Sequence, residues 1–385
     1  MKKIFYGLLA SIVIIIFFAT LTYSFFGVRP KTSSDLSEIM LPENFVIQVF
    51  AQGLGDNLVS YPGPNVGPRM MEFYHSALYA SVPSQGKVIA LPDADNNGTA
   101  DGVITVIENL NKPHGLDFSD EWLYIAEESR VIRVKVDANH KANLETLEVI
   151  IDDLPTGGHF TRTIKIHNGS LYLSIGSSCN VCRESDERRA AVSQCDLDGK
   201  NCTVFAKGLR NSVGFVFHPL TNEMWATDNG RDQLGENLPP EEINFIQAGK
   251  DYGWPICYGN RIHDTDFDKN VYIRDPCQDT EPPVVEMQAH SAPLGLAFYY
   301  GDNFPEEYRG DLFVAFHGSW NRLEPTGYKI VRINIEEKTV QDFAKGWLQG
   351  NSVSGRPVDI VIADDGSMFV SDDNAGKIYR IYYSR

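Results

Sequence analysis

The sequence predicts an all-β protein, a six-bladed β-propeller with an N-terminal hydrophobic signal or anchor helix. Two observations carry the prediction. One phrase recurs, a polar turn, an aliphatic–aromatic pair and then alternating small and apolar residues. It centres on Leu78-Tyr79, Leu123-Tyr124, Leu171-Tyr172, Met224-Trp225, Leu312-Phe313 and Met368-Phe369, at spacings of 45, 48, 53, 88 and 56 residues. Several copies continue into a second apolar run, as in GKVIAL (86–91), RVIRVKV (130–136), GYKIVRI (327–333) and GKIYRI (376–381). Alternation at period two marks half-buried strands, and repetition every 45–56 residues marks units too small to bury a core alone. A β-sandwich of assorted hairpins needs no such near-constant spacing. With 32 glycines, 20 prolines and 43% apolar residues in 385, the chain suits many short strands joined by turns.

The elements follow in chain order. Residues 1–28 hold Lys2 and Lys3 and then a charge-free run from Ile4 to Val28. At about 1.5 Å per residue this run crosses a hydrocarbon core of roughly 30 Å. It reads as a transmembrane anchor or as a cleaved signal peptide with a poor small-x-small site at Thr22-x-Ser24. Both readings export the body of the protein. Residues 29–44 read as a polar tether and 45–385 as the propeller. The long interval between the fourth and fifth phrases is where rim loops have been inserted.

Six cysteines agree with an oxidising compartment. Cys195 and Cys202 flank a hairpin turn, and Cys257 and Cys277 bracket a polar loop. Cys179-Asn-Val-Cys182 is either a redox pair or a short structural bridge. The segment Asp93-Ala-Asp95-Asn-Asn97-Gly-Thr-Ala-Asp101 matches the first part of a calcium loop, although position twelve is Ile104. An Asx-rich turn would carry the same letters.

The net charge is −17, and no basic stripe offsets it, which excludes nucleic-acid binding. The dinucleotide G-x-G-x-x-G after a strand, the P-loop and the G-x-S-x-G elbow are all missing.

The chemistry-bearing phrases lie at strand ends: GGHFTR (157–162), SSCNVC (177–182), GLRNSVGFVFHP (208–219), ATDNGRDQLGENLPPEEIN (226–244), YGWPICYG (252–259), AHSAPLGLAFY (289–299), FVAFHGSWNR (313–322) and SGRPVDIVIADDG (354–366). Together they resemble the glucose/sorbosone dehydrogenase family of soluble quinoprotein sugar dehydrogenases, and within it the sorbosone-dehydrogenase-like branch. The resemblance spans residues 40–383. It implies a six-bladed propeller that holds pyrroloquinoline quinone (PQQ) with a calcium ion over the channel. It also implies a histidine that removes the sugar hydroxyl proton while hydride passes to the quinone. On this resemblance His159 is the base, followed by Arg162, and Arg210-Asn211 is the pair beside the quinone. Gly230-Arg231 falls on the step whose carbonyls bind calcium, with Asp228, Asp232 and Glu236 as nearby oxygens. Two positions depart from the pattern: His317 stands where the family often has a lysine, and Arg356 is the one arginine kept of an Arg-x-Arg. His114 and His290 remain unassigned candidates near the channel, and His218 reads as structural.

The implied function is oxidation of a sugar or sugar aldehyde. No haem-attachment motif is present, so electrons would pass to a separate quinone or cytochrome near the membrane. Two alternatives are a calcium-dependent propeller lactonase or esterase and a non-catalytic propeller that binds a glycan or protein. A lactonase site would show side-chain ligands converging on calcium and no cluster of cations.

Overall fold

The computed structural model describes residues 29–30, 36–55 and 67–384. The predicted anchor or signal at 1–28 lies outside the described residues. Six four-stranded antiparallel sheets form the blades. Their innermost strands are Met71–Tyr74, Leu116–Ser119, Arg162–His167, Phe215–Phe217, Pro293–Phe298 and Pro357–Ile362, for blades I to VI. Each of these strands packs on the next around the axis, and the sixth returns to the first.

The recurring aliphatic–aromatic pair is the second strand of every blade. Successive strand residues point to opposite faces of a sheet, so the two members of a pair meet different neighbours. Leu78 packs in the core between blades VI and I, whereas Tyr79 packs between blades I and II. Leu123 joins Tyr79 there, and Tyr124 meets Leu171 between blades II and III. Tyr172 meets Met224, Trp225 meets Leu312, and Phe313 meets Met368. Phe369 returns to Leu78 and completes the circle. All twelve residues are buried.

Near the axis, side chains link strands that are too splayed for a backbone ladder. Asp359 accepts from the Met71 amide across blades VI and I at 2.8 Å. Asp117 accepts from the Ile166 amide across blades II and III at 2.6 Å. Thr163 donates to the Val213 carbonyl at 2.5 Å, and Thr227 to the Leu294 carbonyl at 2.8 Å.

The outer strand of blade VI is Phe45–Gln52, which pairs antiparallel with Lys377–Tyr383. The sequence phrases do not reveal this closure, because the strand stands apart from the repeat it completes. The tether is also less independent than its polar composition suggests. Met40 bridges to Lys345, and Leu36, Ile39 and Leu41 pack on the core between blades V and VI. Four residues between 36 and 41 are thus occupied by the propeller, and their polar neighbours gave the segment a linker-like look.

All six cysteines are paired, as Cys179–Cys182, Cys195–Cys202 and Cys257–Cys277. Full pairing fits a chain that folds outside the reducing cytoplasm. The rim insertion of blade IV carries the Cys257–Cys277 bridge and a two-stranded hairpin, Cys257–Tyr258 with Ile262–His263. Among the described residues no helix is long and apolar enough to cross a membrane.

If the paired clasp holds the ring, one aromatic truncation should be costly. Phe313 is fully buried and lies edge-on to Phe343 at 4.8 Å. Phe313→Ala should lower unfolding free energy by about 3–5 kcal/mol, read from the urea midpoint.

Candidate functional site

In an antiparallel blade, the start of the first strand and the end of the second lie at the same edge. Residues from those two positions therefore converge on one mouth of the ring. They line a cavity of about 300 Å³ that gathers Arg69, His159, Arg210, Asn211, Gly230, Asp232, His290, His317, Trp320, Asn321 and Arg356. A more voluminous cleft, about 640 Å³, lies beside blades III and IV among Glu187, Lys207, Asp251 and Trp254. It contains no histidine and its Lys207 and Asp251 pair with each other at 3.4 Å.

His159 precedes the first strand of blade III. Its Nδ1 lies 2.9 Å from the Ser177 carbonyl oxygen, which only accepts, so Nδ1 carries the proton. Nε2 is then the lone-pair nitrogen, and it has no hydrogen bond among the described residues. Burial, and after it the Arg210 charge, push the pKa down to about 4. The imidazole is neutral at ordinary pH. Gly158 makes this approach possible, since a Cβ there would meet the Ser178 backbone at 2.5 Å.

Arg210 and Asn211 precede the first strand of blade IV. Both amides donate to buried Asp228, at 2.9 and 2.7 Å. The Arg210 guanidinium reaches the Asn180 carbonyl at 2.9 Å and the Asn229 carbonyl at 3.0 Å. The turn at 230–232 is fixed from several sides. Glu241 accepts from the Gly230 amide at 2.8 Å and from the Ala292 amide at 3.1 Å. Asp232 accepts from Asn321 at 2.7 Å. Burial drives the Glu241 carboxyl up to about 7, against these two amides.

On the opposite wall, His317 Nε2 lies 2.9 Å from Asp373, which also pairs with Arg69. Burial resists ionisation of Asp373, yet the adjoining His317 and Arg69 hold it down to about 2. Arg69 thus keeps a carboxylate under His317, while burial, followed by Arg356, lowers the His317 pKa to about 4. Arg356 donates to the His317 and Gly318 carbonyls, at 3.0 and 2.9 Å.

Eight of the residues singled out from the sequence thus come together: His159, Arg210, Asn211, Gly230, Asp232, His290, His317 and Arg356. Arg162 does not line the cavity. It is fully buried and donates to the carbonyls of Glu128, His159, Thr161 and Pro155, so it props the loop that presents His159. The Arg231 side chain turns to Asp264, leaving only its backbone near the cavity. Asp93, Asp95, Asn97 and Asp101 lie elsewhere, by a groove between blades VI and I. Their oxygens accept from the loop's own amides: Asp93 from Asn97 and Gly98, Asp95 from Asn97, Asn97 from Thr99 and Asp101 from Ala94. His290 joins the cavity and donates from Nε2 to the Gly235 carbonyl at 2.8 Å, so Nε2 carries the proton. His114 does not line the cavity but is fully buried, with Nδ1 3.3 Å from Thr163 Oγ1, and His218 sits on blade IV against Phe298 and Tyr300.

Arg69, Glu241, Asn321 and Trp320 were not singled out from the sequence. Arg69 had a usable signal, because arginines stand at or just before the first strands of blades I, III, IV and VI (69, 162, 210, 356).

A matching family model settles what kind of chain this is: the TrAA12-like model covers residues 67–384. The chain belongs to the TrAA12-like family. A relative from Borreliella burgdorferi with no assigned function is 38% identical over 304 residues, 74% of this chain and 79% of its own length. The pyrroloquinoline quinone-dependent pyranose dehydrogenase of Coprinopsis cinerea is 23% identical over 78% of this chain. This TrAA12-like chain spans 50% of that relative's length. A calcium structure of the Trichoderma reesei family AA12 enzyme superposes with a TM-score of 0.75 at 21% identity, covering 90% of this chain and 97% of the other. That last likeness speaks for the propeller fold.

Arg162→Met should strand four carbonyls, two of them buried and two part-buried. A loss of roughly 3 kcal/mol or more is expected, seen as an earlier urea midpoint.

Proposed function

We propose that the protein is a quinoprotein oxidoreductase, using PQQ and calcium to oxidise a sugar or sugar aldehyde. The observation that carries this reading is a neutral imidazole with a free Nε2, set in a cavity ringed by three arginines. Arg69, Arg210 and Arg356 match an acceptor bearing three carboxylates, because a guanidinium forks onto a carboxylate. Buried polar atoms that have no hydrogen-bond partner among the described residues supply the second support: Asn211 Oδ1, Asn321 Oδ1 and Arg69 Nε all belong to cavity residues. Such atoms fit a planar polar ligand better than an empty channel. The names of the Coprinopsis cinerea and Trichoderma reesei relatives point the same way.

When bound, PQQ supplies the two-electron acceptor for the substrate hydride. The chain's residues do the rest. Arg210, Asn211 and Arg356 orient the acceptor, with His317 held in place by Asp373. The carbonyls of Gly230 and Arg231, with Asp232, hold calcium. His159 Nε2 takes the hydroxyl proton while Ser177 fixes the tautomer. Trp320, 62% exposed at the cavity, offers a face to the sugar ring. Three clustered arginines are what a calcium-only lactonase site would lack, so the dehydrogenase reading is preferred.

Export to the periplasm, anchoring through residues 4–28 and a separate quinone or cytochrome acceptor complete the proposal. An anchor would keep the propeller close to membrane-bound acceptors.

The test is reconstitution of the purified protein with PQQ and calcium, followed by dye reduction with aldoses and sugar aldehydes. Failure to bind PQQ would overturn the reading. His159→Ala should retain PQQ and lose about 10²–10⁴-fold in turnover. A base with a depressed pKa works in its neutral form, so turnover should hold level across neutral pH and fall as pH drops through about 4.

A further inference from the structure

The Cys179–Cys182 bridge closes a ring of four residues, and one of its two interior members, Asn180, touches both halves of the candidate site. The Asn180 side-chain amide brackets Asp232: its Oδ1 accepts from the Asp232 amide at 2.8 Å, and its Nδ2 donates to the Asp232 carbonyl at 3.0 Å. The same Oδ1 accepts from Arg210 Nη2 at 3.1 Å, and the Asn180 backbone carbonyl accepts from Arg210 Nε at 2.9 Å. Three residues earlier, Ser177 donates to the Cys179 carbonyl at 2.7 Å and lies 3.1 Å from His159 Nδ1.

A trans peptide holds its C=O antiparallel to its N–H. By holding the Asp232 N–H, Asn180 therefore also fixes the direction of the Arg231 carbonyl, one of the oxygens assigned to calcium. The disulfide matters here for a local reason. Stabilisation by loop closure grows with loop length, and this is the shortest of the three bridges, with a sequence separation of 3 against 7 and 20. Its effect falls mainly on the backbone of residues 179–182.

We propose that Asn180, presented by the Cys179–Cys182 ring, is a positioning residue that sets Arg210 and the 230–232 turn in register for calcium and cofactor. The proposal rests on the quinoprotein reading for its calcium arm and on geometry alone for its backbone arm.

The experiment pairs two readouts on the full chain. The first is amide hydrogen exchange of the unliganded protein over residues 229–236. The second is the calcium concentration that gives half-maximal PQQ loading, followed by PQQ absorbance rather than by turnover. In Asn180→Ala, exchange over 229–236 should quicken at least tenfold and the calcium requirement should rise at least tenfold, with the thermal midpoint close to that of wild type. Asn180→Asp keeps the acceptor and loses the donor, so it should fall between the two. The double variant Cys179→Ser/Cys182→Ser should shift both readouts in the same direction as Asn180→Ala. Wild-type exchange and wild-type calcium dependence in both Asn180 variants would overturn the proposal. If wild type itself takes up no PQQ, the quinoprotein reading falls, and exchange over 229–236 by itself decides the role of Asn180. Should Asn180→Ala not fold, Asn180→Asp provides the same decision.

Discussion

The ring depends on one stereochemical constraint, the two-residue period of a strand. Because neighbouring side chains point to opposite faces, a pair such as Leu171-Tyr172 cannot serve a single interface. One member must pack backward and the other forward. Repeated around six blades, this turns a local rule into a circular clasp, in which each aromatic shares a core with the first member of the next blade's pair. Antiparallel pairing within each blade accounts for the site. Strands that start and finish at one edge deliver loop residues from five of the six blades to the same mouth, so a catalytic set can be assembled from positions scattered from 69 to 356.

The electrostatics of that mouth run against the rest of the molecule. A chain of net charge −17 places three arginines around one cavity and spends buried carboxylates on holding their supports. Asp228 and Glu241 grip backbone amides, Asp373 grips Arg69, and Asp264 draws the Arg231 side chain aside. Asp264 engages Arg231 and backbone carbonyls engage Arg162, so neither lines the mouth, whereas Arg69, Arg210 and Arg356 do. An acidic shell with a cationic mouth favours anionic ligands at this one place, where desolvated charges act most strongly.

The sequence disclosed the parts that repetition or motif chemistry encodes. The six phrases located every second strand, and the cysteine spacings anticipated the pairs at 195–202 and 257–277. His159, Arg210 and Asn211 were legible because a known motif carried them. Arg69 was not, since its only mark is a place in the repeat. Asn180 was hidden more deeply: nothing in Cys-Asn-Val-Cys says that the amide between the cysteines reaches residue 232. Arg162 illustrates the opposite error, because an arginine near a candidate base looks like a ligand until its guanidinium is seen to bind four carbonyls. Long-range partners set these roles, and local spacing carries no record of them.

The blade VI closure has a consequence for the order of events during folding. Phe45–Gln52 is made before any blade, yet its partner Lys377–Tyr383 is made after every other strand described. Through the whole of synthesis that first strand waits as an unpaired edge. Five blades can assemble from neighbours in sequence, but the sixth requires a contact between distant parts of the chain, which carries the largest loop-closure entropy. The aromatic cluster around Phe45, with Phe304, Tyr308, Phe343 and Tyr383 at 4.7–5.2 Å, is then a latch set late. The mouth shaped by Arg69 and Arg356 is complete only once that latch has caught.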